Sequence, residues 1–193
     1  MNTPNKLTIA RIIATPFFMA ALMIEFPFHY TVALILFIAA SLTDMIDGKM
    51  ARKYNMITDF GKFLDPLADK MLTTAAFLGF IKMGIGWQVT WIAFIVLFRE
   101  FLISSLRLVV VSSGGKVIAA NMWGKCKTVS QMAGIILALF AYVLISDFGI
   151  NNGVFVSVCN IIISILFWAS AVLCIISGVI YLKDSREYID PSK

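Results

Sequence analysis

Residues 44–69 read DMIDGKMARKYNMITDFGKFLDPLAD, and the meaning of the whole chain turns on them. Asp44 and Asp47 are three apart, and Asp65 and Asp69 are four apart. On helices each pair shares one face, with neighbouring Cβ atoms about 5–6 Å apart. The flanking segments are apolar enough to cross a bilayer, where a carboxylate is costly unless it is paired, hydrated or bound to metal. Two such pairs brought face to face make an oxygen-only cage. That cage suits a hard divalent ion such as Mg²⁺ or Mn²⁺ and suits soft metals poorly. A single acid at a helix end would mean no more than solvation or a match to the helix dipole. Four at these offsets, with Gly48, Arg52 and Gly61 between them, point to a site.

Composition bounds the class of protein that surrounds this stretch. The 193 residues would allow one or two soluble domains, but 60% are hydrophobic, only 14% are charged, and the mean hydropathy is +0.90. These values belong to polytopic membrane proteins. The formal charge is +5. Its bases occur in short clusters between apolar runs, so anionic lipid headgroups and phosphorylated substrates are expected as partners, and nucleic acid is not. Cys126, Cys159 and Cys174 form no C-x-x-C pair, so neither a disulfide framework nor a zinc site is expected.

Taken in order, the chain reads as an all-α integral membrane protein, a single domain over residues 1–193. Six transmembrane helices are expected, with a short interfacial helix at the N-terminus and both termini in the cytoplasm. The expected spans run roughly over residues 9–26, from 30 into the aspartate stretch, from there to 82, and over 87–111, 129–145 and 154–182. No cleavable signal peptide is expected, because the first apolar run continues too far and lacks a small-residue cleavage site. Asn5, Thr8 and Arg11 are spaced by three, so a helix puts them on one polar stripe. That stripe reads equally well as an anchor lying on headgroups or as part of a site. His29, the single histidine, reads as a solvated loop residue. Asp44 follows Tyr30 by fourteen residues, roughly 21 Å of helix, which places it somewhat below the surface of a bilayer core about 30 Å thick. Pro66 marks either the start of the third helix or a kink within it. Residues 112–128 read as the longest loop. With the N-terminus inside, every Lys and Arg except Lys82 falls on the cytoplasmic side, and so do the aspartates.

The full pattern is Asp44-x2-Asp47-Gly48-x2-Ala51-Arg52-x8-Gly61-x3-Asp65-x3-Asp69. It resembles the signature of the CDP-alcohol phosphatidyltransferase family, with every defining position filled. The resemblance implies a membrane enzyme of phospholipid synthesis that uses divalent metal, one or two Mg²⁺ or Mn²⁺ ions, to move a phosphatidyl group from a CDP-linked lipid to an alcohol. It implies Asp44, Asp47 and Asp65 as principal metal ligands, and Asp69 as a further ligand and general base. Gly48, Ala51, Arg52 and Gly61 join Asp44 in holding the CDP-lipid: glycine lets a nucleotide lie close to the backbone, and Arg52 gives a charged donor to phosphate. The resemblance also implies a homodimer.

The likeness continues in NKLTIARIIATPFF, TDFGKFLDPLADK, REFLISSLRLV and the GK-x-KT-x-x-QM segment from Gly124 to Met132, covering most of the first 132 residues. These stretches resemble family members that pair CDP-diacylglycerol with sn-glycerol 3-phosphate in the cytoplasmic membrane. A phosphorylated acceptor asks for a second basic site. Arg107, Lys125 and Lys127 are the candidates, with Arg99 and Lys62 behind them and the Asn5–Thr8–Arg11 stripe as a further possibility. The alternatives are the same chemistry with serine, inositol phosphate or phosphatidylglycerol, or, in another class, a divalent-cation transporter.

Overall fold

In the computed structural model, residues 2–53, 59–112, 122–150 and 152–186 are described; for 3–4, 47–49, 51–53, 59–60, 62–63 and 111–112 the description is of the backbone alone. Six helices account for nearly all of them: α1 (Thr3–Met23), α2 (His29–Lys53), α3 (Asp59–Met83), α4 (Val89–Ser112), α5 (Met122–Tyr142) and α6 (Gly153–Asp184). A π-helical turn, Val143–Asp147, continues α5. Among the described residues there is no strand.

The surface of these helices is the reverse of a soluble protein's. Ile13, Phe17, Ile35, Phe98, Phe101 and Ile165 are all more than half exposed, while Asn5, Thr8, Arg11 and Thr15 are buried. Large apolar side chains facing outward along whole helices belong in lipid rather than water. Among the described residues, four segments are long and apolar enough to cross a membrane: Asn5–Met23, His29–Ile46, Met122–Asp147 and Gly153–Asp184. The other two helices, α3 with 25 residues and α4 with 24, carry several charged side chains within their length.

The chain packs as two units. Met1–Ile85 joins Ile135–Asn160 in the first, and Gly86–Gly134 joins Ile161–Lys193 in the second. In the first, α1 packs on α2 and α3, with Phe18 and Phe37 in ring contact at 5.5 Å. Gly79 permits the close approach of α1 to α3, because a Cβ there would stand 2.6 Å from Leu22 Cδ1. Asp147 in the π-helical turn accepts 2.7 Å hydrogen bonds from both the amide and the hydroxyl of Thr31, which satisfies an orphan donor in the first turn of α2. In the second unit, Ile163, Phe167 and Cys174 of α6 are buried. A Cβ on Gly134 would lie 2.8 Å from the Phe167 ring, so α5 and α6 meet closely there.

Several expectations about the elements need correction. No separate interfacial helix precedes the first span: α1 is one helix from Thr3 to Met23, with Pro16 inside it, and the polar N-terminal residues form its first turns. Met122–Thr128 is not loop but the beginning of α5, so Lys125 and Lys127 are helical. Asp59 opens α3, and of the two readings of Pro66 the structure has the one that puts it inside the helix. The fourth helix begins at Val89 rather than Trp87, because Gly84, Gly86 and Gln88 all have positive φ and cannot sit in a right-handed helix. His29 is not a loop residue. It is the first residue of α2, its Nδ1 donates to the Ala21 carbonyl at 3.1 Å, and its ring lies 4.0 Å from that of Tyr30.

Candidate active site

The polar stripe on α1 organises the site. Asn5, Thr8 and Arg11 are 5%, 1% and 2% exposed, and Thr15 continues the buried face, donating to the Arg11 carbonyl at 2.9 Å. An interfacial anchor would leave these side chains wet, so the anchor reading fails. Burying a guanidinium among apolar helices is costly unless a charged partner meets it. Arg11 has that partner, donating through Nη1 to Oδ1 of Asp44 on α2. One turn earlier, Thr8 Oγ1 donates to Oδ1 of Asp65 on α3 at 2.8 Å. A single helix face thus grips one carboxylate from each half of the aspartate signature. This juxtaposition of α2 and α3 is what the sequence pattern required.

Each carboxylate is engaged through one oxygen by α1, and neither is sealed off. The Asp44 side chain is 46% exposed against 1% for its Arg11 partner, and Asp65 and Asp69 are exposed. Asp69 stands one turn beyond Asp65 on α3, and Asp47 one turn beyond Asp44 on α2. Gly61 is buried near the start of α3. Gly48, Ala51 and Arg52 lie in the last turns of α2; their side chains, and those of Asp47 and Lys62, are outside the described residues. Among the described residues no group of three His, Cys, Asp or Glu is gathered tightly enough to hold a metal. The donor chemistry fits a hard divalent ion nonetheless, since the side chains that α1 brings together present carboxylate oxygens and no nitrogen or sulfur ligand.

The second unit carries its own charge cluster. Glu100 accepts from Arg99 Nη1 at 3.1 Å and from Lys127 Nζ, and Arg99 Nη2 also donates to Ser177 Oγ at 3.1 Å. Lys127 is buried, whereas Lys125 is exposed. Arg107 is exposed as well, its guanidinium 5.9 Å from the centre of the Tyr181 ring, a cation–π distance. Of the three basic residues expected to hold an acceptor phosphate, two are therefore open to solvent and one is matched by a carboxylate. Reading the sequence missed Glu100 as the hub of this cluster. The signal was present: an acid in the middle of an apolar helix asks for partners.

Comparison with known proteins agrees with the geometry. The family model described as CDP-alcohol phosphatidyltransferase matches residues 1–176. A Bacillus subtilis protein named CDP-diacylglycerol–glycerol-3-phosphate 3-phosphatidyltransferase is 36% identical, over 99% of this chain and 98% of its own length. Proteins of the same name from Rickettsia bellii and Haemophilus influenzae are 37% and 35% identical, over 97% and 96% of this chain and 97% and 94% of their own lengths. With the signature complete, two of its carboxylates on one buried stripe and relatives alike from end to end, the chain belongs to the CDP-alcohol phosphatidyltransferase family.

Proposed function

We propose that the chain transfers the phosphatidyl group of CDP-diacylglycerol to sn-glycerol 3-phosphate, giving phosphatidylglycerol phosphate and CMP. The observation that carries this reading is the gathering of Asp44 and Asp65, from opposite halves of the signature, onto the buried stripe of α1. The names of the full-length relatives supply the donor and acceptor.

In the reaction, a hydroxyl oxygen of the acceptor attacks the phosphorus that carries diacylglycerol. The new P–O bond forms as the bond to CMP breaks, and the hydroxyl proton passes to Asp69, the general base. Asp44, Asp47, Asp65 and Asp69 would hold one or two Mg²⁺ or Mn²⁺ ions, which when bound supply positive charge against the diphosphate. Arg11 and Thr8 fix the side-chain directions of Asp44 and Asp65, as second-layer partners of ligand carboxylates do. Arg52 donates to a donor phosphate, and Gly48, Ala51 and Gly61 leave room for the nucleotide. Arg107, Lys125 and Lys127 hold the acceptor phosphate. Lys127 can contribute while it serves Glu100, because an ammonium has three donors.

All six helices cross the membrane in this reading, with both termini and the aspartates on the cytoplasmic side and the protein acting as a homodimer in the cytoplasmic membrane. The one-sided distribution of Lys and Arg supports the orientation, and the homodimer rests on the family resemblance alone. The test is CMP release by the purified chain from labelled CDP-diacylglycerol. Release should require both a divalent ion and glycerol 3-phosphate, and serine should not replace the acceptor. Equal rates with serine, or release that ignores the acceptor, would overturn the assignment.

A further inference from the structure

The first unit holds a second polar concavity, at the far end of its helices. From Arg11 to Met23 along α1 is roughly 18 Å at 1.5 Å per residue, and a cavity of about 720 Å³ opens at that end. Its wall includes Glu25, Phe26, His29, Tyr30, Lys82 and Ser146, drawn from the turn after α1, the start of α2, the end of α3 and the π-helical turn.

Four independent features converge there. Lys82 is the one base that the orientation argument assigns to the outer side, where bases are otherwise avoided. His29 is the chain's single histidine. The turn that presents both Glu25 and His29 holds Phe28 at φ +62°, a left-handed conformation that is strained for a bulky side chain and persists where the surroundings impose it. Ser146 comes from a π-helical turn, an element that recurs at functional sites.

The polar groups divide into donors and acceptors. Lys82 Nζ uses one of its three hydrogens on the Met23 carbonyl at 3.1 Å, and Ser146 adds a hydroxyl. On the acceptor side stands the Glu25 carboxylate. His29 joins it: a carbonyl can only accept, so the proton facing Ala21 sits on Nδ1, and Nε2 of the neutral ring is an acceptor. A simple anion would meet Glu25, and a simple cation would meet Lys82. A ligand carrying both charges satisfies both.

We propose that this cavity binds a zwitterionic phosphoammonium group, its phosphate on Lys82 and Ser146 and its primary ammonium on Glu25 and His29 Nε2. The source that best fits its position is the headgroup of a phospholipid in the leaflet opposite the active site. A soluble phosphoammonium compound shares the chemistry. The site is separate from the transfer reaction and uses none of its residues.

The test takes the full chain out of nanodiscs containing equal phosphatidylethanolamine, phosphatidylcholine and phosphatidylglycerol, and measures retained lipid by native mass spectrometry. Phosphatidylethanolamine should be retained roughly tenfold over the other two, since choline has no N–H to donate and the glycerol headgroup has no ammonium. Lys82→Gln and Glu25→Gln should each abolish that preference. CMP release by both variants should match wild type, which also shows that they fold. Competition by O-phosphoethanolamine in water identifies a soluble source, and retention that resists it identifies the lipid; either supports the site. Equal retention of the three lipids, an unchanged preference in both variants, or equally strong competition by inorganic phosphate would overturn it. Absence of CMP release from the wild type would count against the proposed reaction and leave the lipid result standing.

Discussion

The two units each bury a cation against a carboxylate, with opposite balance. In the first, Arg11 is sealed at 1% exposure and Asp44 remains 46% exposed, so the base is structural and the acid faces outward. In the second, Glu100 is 19% exposed between Arg99 at 17% and Lys127 at 8%, so all three are largely enclosed and the bases outnumber the acid. An outward-facing acid held by a buried base keeps a fixed direction and an accessible oxygen, which is what a hard cation needs. An enclosed acid between two bases keeps its neighbours in place and leaves a net positive region, which suits a phosphate. The contrast gives the first unit an acidic pole and the second a basic one.

The largest effects belong to the acidic pole. Asp44→Asn, Asp47→Asn or Asp65→Asn keeps the shape and removes the charge, and each should lose nearly all CMP release with little loss of folded protein. Near-wild-type turnover of any one of them at saturating metal would remove that residue from the ligand set.

Next come the groups that aim these acids. Arg11→Gln should cost about 10–100-fold in activity, the range for lost second-layer partners of metal ligands, with partial recovery in Arg11→Lys. Thr8→Val removes one neutral hydrogen bond, a net of about 0.5–1.5 kcal/mol, and should cost less. A metal titration of CMP release distinguishes the roles. A merely structural stripe would lower the yield of folded protein without moving the metal dependence of what remains.

The shared faces of the aspartate pairs were legible because that information is local. Fixed offsets of three and four place side chains on one helix face whatever the rest of the chain does. The stripe on α1 was legible as a stripe and not as a contact. Spacing put Asn5, Thr8 and Arg11 together, but whether they met headgroups or carboxylates depended on packing between residues 33 and 57 positions apart. The start of α5 was misread for a different reason. Met122-Trp-Gly-Lys-Cys-Lys-Thr looks like loop by its glycine and charges, yet it is helical, and its Lys127 meets Glu100 in a contact invisible in local sequence. The six helices were readable as helices, four of them, among the described residues, as segments apolar and long enough to cross a membrane. The cavity beside His29 was not legible, since it is made by the ends of four elements.

At the basic pole the effects should be smaller and confined to the acceptor. Arg107→Gln and Lys125→Gln each remove an exposed charge, and each should raise the KM for glycerol 3-phosphate by about tenfold, equivalent to 1.4 kcal/mol, while leaving the KM for CDP-diacylglycerol nearly unchanged. Lys127→Gln should raise it less, because Glu100 already matches part of that charge. Steady-state kinetics with both substrates varied decide the point. An unchanged acceptor KM in all three variants would move the phosphate pocket elsewhere.

The smallest effect is the most diagnostic, because acceptor binding should tighten while the fold weakens. Glu100→Gln removes the carboxylate that competes with the acceptor's phosphate for Lys127 and repels it through space. The acceptor KM should therefore fall, by about threefold, well short of the tenfold that 1.4 kcal/mol represents. The same change leaves Arg99 and Lys127 without their shared counter-charge in a largely buried setting, so the melting temperature of the purified protein should drop. Arg99 keeps its bond to Ser177, which limits the loss. A variant that melts earlier and binds glycerol 3-phosphate more tightly places Lys127 at the acceptor. One that melts earlier with an unchanged or higher acceptor KM makes the Glu100 cluster a structural clasp between α4 and α5, and leaves Arg107 and Lys125 as the phosphate holders.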